Sequence, residues 1–147
     1  MEGGGRFARR LPGLLPALIV VALAIGLFRA FAPPIGYLTR TSLASCGSER
    51  AGAAGPWNVE GRQCLWDAYQ AGRPAEFVST RSSVEGDPVT TTLRVLGDGR
   101  VEIYIDGTRD RWGQGWTRLA CPTLGLSDAS QPSPDFTWGP GCEERPV

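Results

Sequence analysis

The chain contains no lysine and no histidine, and only one methionine. Without histidine there is no Ser-His-Asp or Cys-His nucleophile pair and no imidazole metal site. Without lysine there is no Schiff base, no Ser-Lys dyad and no phosphate-binding loop of the Walker type. Every basic side chain is therefore arginine, 15 of them against 15 acids. That balance hides a split: residues 1–40 are net +4 and residues 41–147 net −4. The larger part has no arginine-rich stripe able to neutralise phosphates, which argues against nucleic acid as a partner.

What is present begins with grease. Residues 11–28 carry no charge and lie between Arg9-Arg10 and Arg29, and eleven of the eighteen are Leu, Ile, Val or Phe. At helical rise the run spans about 27 Å, close to a hydrocarbon core of roughly 30 Å, and its insertion is worth about −3 to −7 kcal/mol. It has no polar face, unlike a core helix of a water-soluble domain. Three fates compete. Ala30-Phe31-Ala32 fits a signal-peptidase site, but Pro33 would follow the scissile bond. Leu43-Ala44-Ser45-Cys46 reads as a lipobox, but residues 29–45 separate it from the apolar run. The preferred fate is an uncleaved single-span anchor in the cell membrane, inserted through residues 11–28. Arg6, Arg9 and Arg10 then stay cytoplasmic and the C-terminal domain is extracytoplasmic.

The four cysteines, Cys46, Cys64, Cys121 and Cys142, all lie beyond that run and contain no CxxC pair. In a small exported domain they read as two disulfides. Three connectivities are possible. The spacing favours Cys46–Cys64 and Cys121–Cys142, each closing a loop of about twenty residues worth roughly 3 kcal/mol. A lipidated Cys46 would instead strand one thiol.

Three regions follow: residues 1–32 as stub and membrane helix, 33–57 as a flexible tether rich in Pro, Gly, Ala and Ser, and 58–147 as an exported domain. Asn58 caps a helix that Gly72 and Pro74 stop near residue 71, with Cys64, Leu65, Ala68 and Tyr69 facing the core. Residues 76–84 form a strand. Val89, Thr91, Leu93 and Val95 alternate with polar residues in another, Gly97-Asp98-Gly99 turns the chain, and Val101, Ile103 and Ile105 lie on one face of the return strand. Residues 116–121 make a fourth strand and residues 136–138 a short fifth. The fold class is α+β, one helix on an antiparallel meander of four to five strands.

Two clusters carry chemistry-bearing side chains, Glu85-Gly86-Asp87-Pro88 and residues 106–113. Paired carboxyls invite a glycosidase reading, but both clusters sit at strand ends, where Gly, Asp and Pro serve the turn itself. Asp106, Thr108 and Asp110 match the opening of a calcium loop, which then fails at Arg111 and Thr117. An ion pair from Arg109 or Arg111 to Glu85 or Asp87 is the plainer use. Trp57, Trp66, Trp112, Trp116 and Trp138 are expected mainly to fill the core. Trp112 and Trp116 beside Gly113 and Gly115 are the two placed to offer a platform for sugars or peptides. The candidate binding residues are Glu85, Asp87, Asp106, Arg109, Asp110, Trp112 and Trp116, with no catalytic residue, cofactor or metal ligand assigned.

The succession Cys64-Leu-Trp66-x-Ala-Tyr69, Pro74-Ala-Glu, Val84-Glu-Gly-Asp-Pro88-Val, Tyr104-x-Asp106 and Arg109-Asp110-x-Trp112-Gly113 resembles a bacterial family of small exported domains of unassigned function. The likeness covers about residues 58–121, and residues 121–142 are similar to a cysteine-paired tail in related sequences. Members are often lipoproteins or anchored envelope proteins, so the resemblance implies a location and a fold class and no activity. The expected function is a non-catalytic binding or structural module of the cell envelope. A carboxylate hydrolase and a lipid-anchored sensor are the alternatives.

Overall fold

The computed structural model describes residues 14–51, 57–127 and 135–147, without the side chains of residues 14, 15 and 27–31. It divides into two units, Met1–Ala32 and Pro33–Val147. The first contains one helix, α1 (Leu14–Phe31). Among the described residues no helix is long and apolar enough to cross a membrane; the start of the run at residues 11–13 lies outside them.

The second unit is α+β. After α2 (Ile35–Leu38) come β1 (Ala44–Ala51), α3 (Val59–Gln70), β2 (Ala75–Ser82), β3 (Pro88–Val95), β4 (Val101–Asp106), β5 (Trp116–Cys121), β6 (Gly125–Leu126), β7 (Phe136–Thr137) and β8 (Glu143–Arg145). Six strands form one sheet in the order β1-β2-β3-β4-β5-β8, and β6 and β7 form a separate pair. The meander β2 to β5 is antiparallel as expected, whereas β1 pairs with β2 in parallel. A parallel neighbour needs a crossover, and α3 supplies it.

Several expectations are corrected. Residues 33–57 are not a tether throughout, because residues 35–38 form α2 and residues 44–51 form β1. The sequence Ala-Ser-Cys-Gly-Ser-Glu-Arg-Ala has poor strand propensity. It becomes a strand through tertiary contacts, namely pairing with β2 and the Cys46–Cys64 disulfide to α3. The sheet has six strands rather than four or five, and the strand at Phe136 joins β6 instead of extending the meander. None of the five tryptophans belongs to the buried core, although Trp66 packs against it. That core is Leu65, Phe77, Leu93, Val95, Val101 and Ile103, with Ala68, Ala75, Cys46, Cys121 and Leu124.

Strand alternation explains the layering. Odd-numbered residues face α3: Phe77, Leu93 and Ile103 stand in one cross-strand row, continued by Leu119. Asn58 accepts the Gly61 N–H at 2.9 Å and so caps α3, while Gly72, at φ +62°, ends it in the left-handed conformation that glycine tolerates. The second disulfide, Cys121–Cys142, joins the end of β5 to the approach of β8.

Helix α3 lies so close to the sheet that a Cβ at Gly61 would sit 2.6 Å from the Cys46 carbonyl oxygen and 2.7 Å from the Phe77 ring. Gly61→Ala is therefore expected to destabilise the domain by about 1–3 kcal/mol despite its better helix propensity, read as a lower urea midpoint. An unchanged or higher midpoint would contradict this packing.

Candidate functional site: the loop end of the sheet

Two connections, residues 83–87 between β2 and β3 and residues 107–115 between β4 and β5, leave the sheet at the same end. Each is built by its own polar groups. In the first, the Ser83 N–H donates to the Asp87 carbonyl at 2.7 Å and the Gly86 N–H to the Ser83 carbonyl at 3.0 Å. In the second, Asp106 Oδ1 accepts the Thr108 N–H at 3.0 Å and its hydroxyl at 2.6 Å. Asp110 Oδ1 accepts the Trp112 N–H at 3.1 Å, and the Gly107 N–H closes the loop onto the Gly115 carbonyl at 2.8 Å. The two aspartates act as Asx-turn devices.

The two loops are tied together. Arg111 donates its backbone N–H at 3.2 Å and its Nε at 2.9 Å to Asp87 Oδ2. These hydrogen bonds hold the Asp87 carboxyl below the usual carboxylate range. Glu85 accepts from the Ser83 hydroxyl at 3.3 Å. Arg109 is exposed and makes no ion pair among the described residues. Trp112 is 75% exposed and Val84 99%. Trp116 starts β5 opposite Asp106 and packs on Tyr37 with ring centroids 4.6 Å apart. Its buried Nε1 has no hydrogen-bond partner among the described residues.

The structure thus gathers all seven candidate residues at one end of the sheet, with Trp116 at the base. The anticipated ion pair is Arg111–Asp87. A general acid needs a carboxyl raised towards neutrality, yet Asp87 is shifted the other way, and Asp106 and Asp110 are engaged by N–H groups of their own loop. No group of three or more metal-binding side chains occurs among the described residues.

Sequence reasoning missed two buried charge networks. In the first, Arg62 on α3 donates to both oxygens of Glu49 on β1, at 2.9 and 2.6 Å. Glu49 also accepts from the Ser79 hydroxyl at 2.6 Å and the Asn58 N–H at 3.1 Å. Arg62 reaches Asp135 at 2.9 Å, which Arg81 binds as well. Burial pushes the Glu49 carboxyl up, but the Arg62, Ser79 and Asn58 hydrogen bonds outweigh it and hold the group below the ordinary range.

The second network covers the even-numbered face. Glu76, Arg94 and Glu102 stand side by side on β2, β3 and β4. Arg94 donates to Glu76 at 3.0 Å, to Glu102 and to the Thr41 carbonyl. Arg40 grips Glu76 with two bonds of 3.3 Å, and Arg118 donates to Glu102 at 2.9 Å. A recess of about 330 Å³ lies here between residues 36–43 and the sheet, but its arginines are committed to carboxylates and carbonyls. A smaller recess of about 120 Å³ beside Arg62 and Arg81 is likewise held by Asp135.

Comparison with protein-family models, with curated proteins and with solved structures finds no match.

Arg62→Met should cost about 3–5 kcal/mol, because it leaves Glu49 buried without its cation. A depressed folded-state pKa gives stability that is present above the ordinary carboxylate value of about 4.3 and lost as pH falls through the lower folded value. Urea titrations at neutral and acid pH should therefore show a large gap between wild type and Arg62→Met at neutral pH that narrows in acid. A gap that widens in acid would refute the role given to Glu49.

Proposed function

We propose that the chain is a single-span, membrane-anchored module of the bacterial cell envelope, displaying a non-catalytic α+β domain outside the cytoplasm. The pairing of all four cysteines as Cys46–Cys64 and Cys121–Cys142 carries this reading, because such disulfides persist in oxidising compartments. The uncharged run of residues 11–28, behind Arg9-Arg10, supplies the anchor. The resemblance to small exported domains fits the same reading.

The alternatives lose their support. With Cys46 Sγ bonded to Cys64, the thioether of a lipoprotein has no sulfur to form on. A carboxylate hydrolase would need one carboxyl of the loop end free and raised, whereas Asp87 is held down by Arg111. Binding or structural support is what the loop end offers, a rigid turn presenting Trp112.

The full chain expressed in bacteria is expected to resist alkaline carbonate extraction, to lose its domain to protease added outside spheroplasts, and to contain no thiol that reacts before reduction. Recovery in the soluble fraction with four titratable thiols would overturn the proposal.

A further inference from the structure

The course of residues 36–43 shows from which end the chain joins its domain. Arg40 is fixed to Glu76, in the row of Glu76, Arg94 and Glu102. Three residues earlier, Tyr37 shares a hydrogen bond with Thr92 Oγ1 at 3.3 Å and packs on Tyr104 and Trp116. Trp116 stands opposite Asp106, four strand positions from Glu102 and so about 13 Å along the sheet. Gly36 lies against Val147, 3.1 Å from where its Cβ would be. Val147 continues β8 beyond the Arg118–Arg145 pair, towards the same row as Trp116. Traced backwards from Arg40, the chain therefore runs towards the end of the sheet that carries the 83–87 and 107–115 loops.

That end is also where the domain shows its most exposed apolar side chains, Val84 at 99% and Trp112 at 75%, with Ile35 of α2 at 78%. The loops holding Val84 and Trp112 are joined by Asp87 and Arg111 and hydrogen-bonded internally, so presenting both side chains together costs no rearrangement. We propose that this loop end docks on a lipid surface, with Val84 and Trp112 inserted among its headgroups. Tryptophan prefers that interface, and shallow insertion of a few apolar groups is how surface-bound elements hold to it. Around the tip Glu85, Asp87, Asp106 and Asp110 outnumber Arg109 and Arg111, so the contact is driven by apolar insertion and needs no anionic lipid. The inference rests on the anchor proposed above.

The test uses the full chain in phosphatidylcholine vesicles, with an environment-sensitive fluorophore on Val84→Cys, or as control on Asp98→Cys in the hairpin at the opposite end. The native cysteines are bonded and do not react. The label at position 84 should be blue-shifted and quenched by doxyl lipids several-fold more than the label at 98. Trp112→Ala in the Val84→Cys background should reduce that quenching while urea unfolding stays unchanged. Adding phosphatidylglycerol should leave the quenching as it was. Equal, aqueous behaviour of the two labels on a chain that floats with the vesicles would overturn the docking and leave the anchor standing. Quenching that requires phosphatidylglycerol would overturn the apolar mechanism. A chain that does not float with vesicles would overturn anchor and docking together.

Discussion

One buried ion pair, Glu49 with Arg62, decides how the elements of this domain meet. Glu49 comes from the edge strand β1 and Arg62 from α3; Ser79 of β2 and Asn58 at the helix cap complete the carboxylate's partners, and Asp135 brings in the chain ahead of β7. Such a pair adds little net stability over a well-packed apolar substitute, but either charge left alone in the interior is costly. Its effect is selective. A β1 shifted in register would bury Glu49 against the sheet without its cation, so the parallel alignment with β2 is enforced even though the strand's own sequence does little to favour it. Trp57 reinforces the arrangement, with Arg62 at 4.3 Å and Arg81 at 4.4 Å from its ring centroid.

The sheet has two unlike faces. Odd-numbered positions bring Phe77, Leu93, Ile103 and Leu119 under α3, and even-numbered positions carry Glu76, Arg94, Glu102, Tyr104 and Arg118 under residues 36–43. The exclusive use of arginine has a physical role here. Arg94 is almost fully buried and meets three partners, on β2, on β4 and in the covering segment, through three different nitrogens. An ammonium group on a flexible stem lacks the fixed fork that makes this geometry possible. Burial and the neighbouring Glu102 carboxylate also hold the Tyr104 phenol above its ordinary value, and Tyr37 packs on its ring edge-to-face with centroids 5.2 Å apart.

Much of this could be read from local pattern. The cap at Asn58, the stop at Gly72, the Gly97-Asp98-Gly99 turn and the β2 to β5 meander follow from propensity and period-two alternation, and cysteine spacing pointed to the observed pairing. What was illegible depends on partners distant in sequence. Nothing within residues 44–51 marks a strand, because its reasons lie in β2 and α3. Arg62 could have been flagged, since it falls three residues before Leu65 on the buried stripe of the helix, where a charge requires an explanation. Glu76, Arg94 and Glu102 were visible as the polar half of alternating strands, which is ordinarily a solvated face; only residues 36–43, read as linker, turn it into an interior. The loop-end residues were found for a sound reason, since turns concentrate Asp, Gly and aromatic side chains. Their hydrogen bonding then identified them as builders of a rigid tip rather than reagents.

The disulfides occupy telling places. One holds β1, the first edge of the sheet, to α3, and the other holds the chain leading into β8, the opposite edge, to β5. Both covalent links thus guard the rims and neither crosses the central meander. Without these links the two edge strands would be held by their ladders and side-chain contacts alone, and an edge strand that opens offers its backbone for pairing with another molecule. Oxidative closure at both rims therefore works against edge-to-edge pairing between molecules.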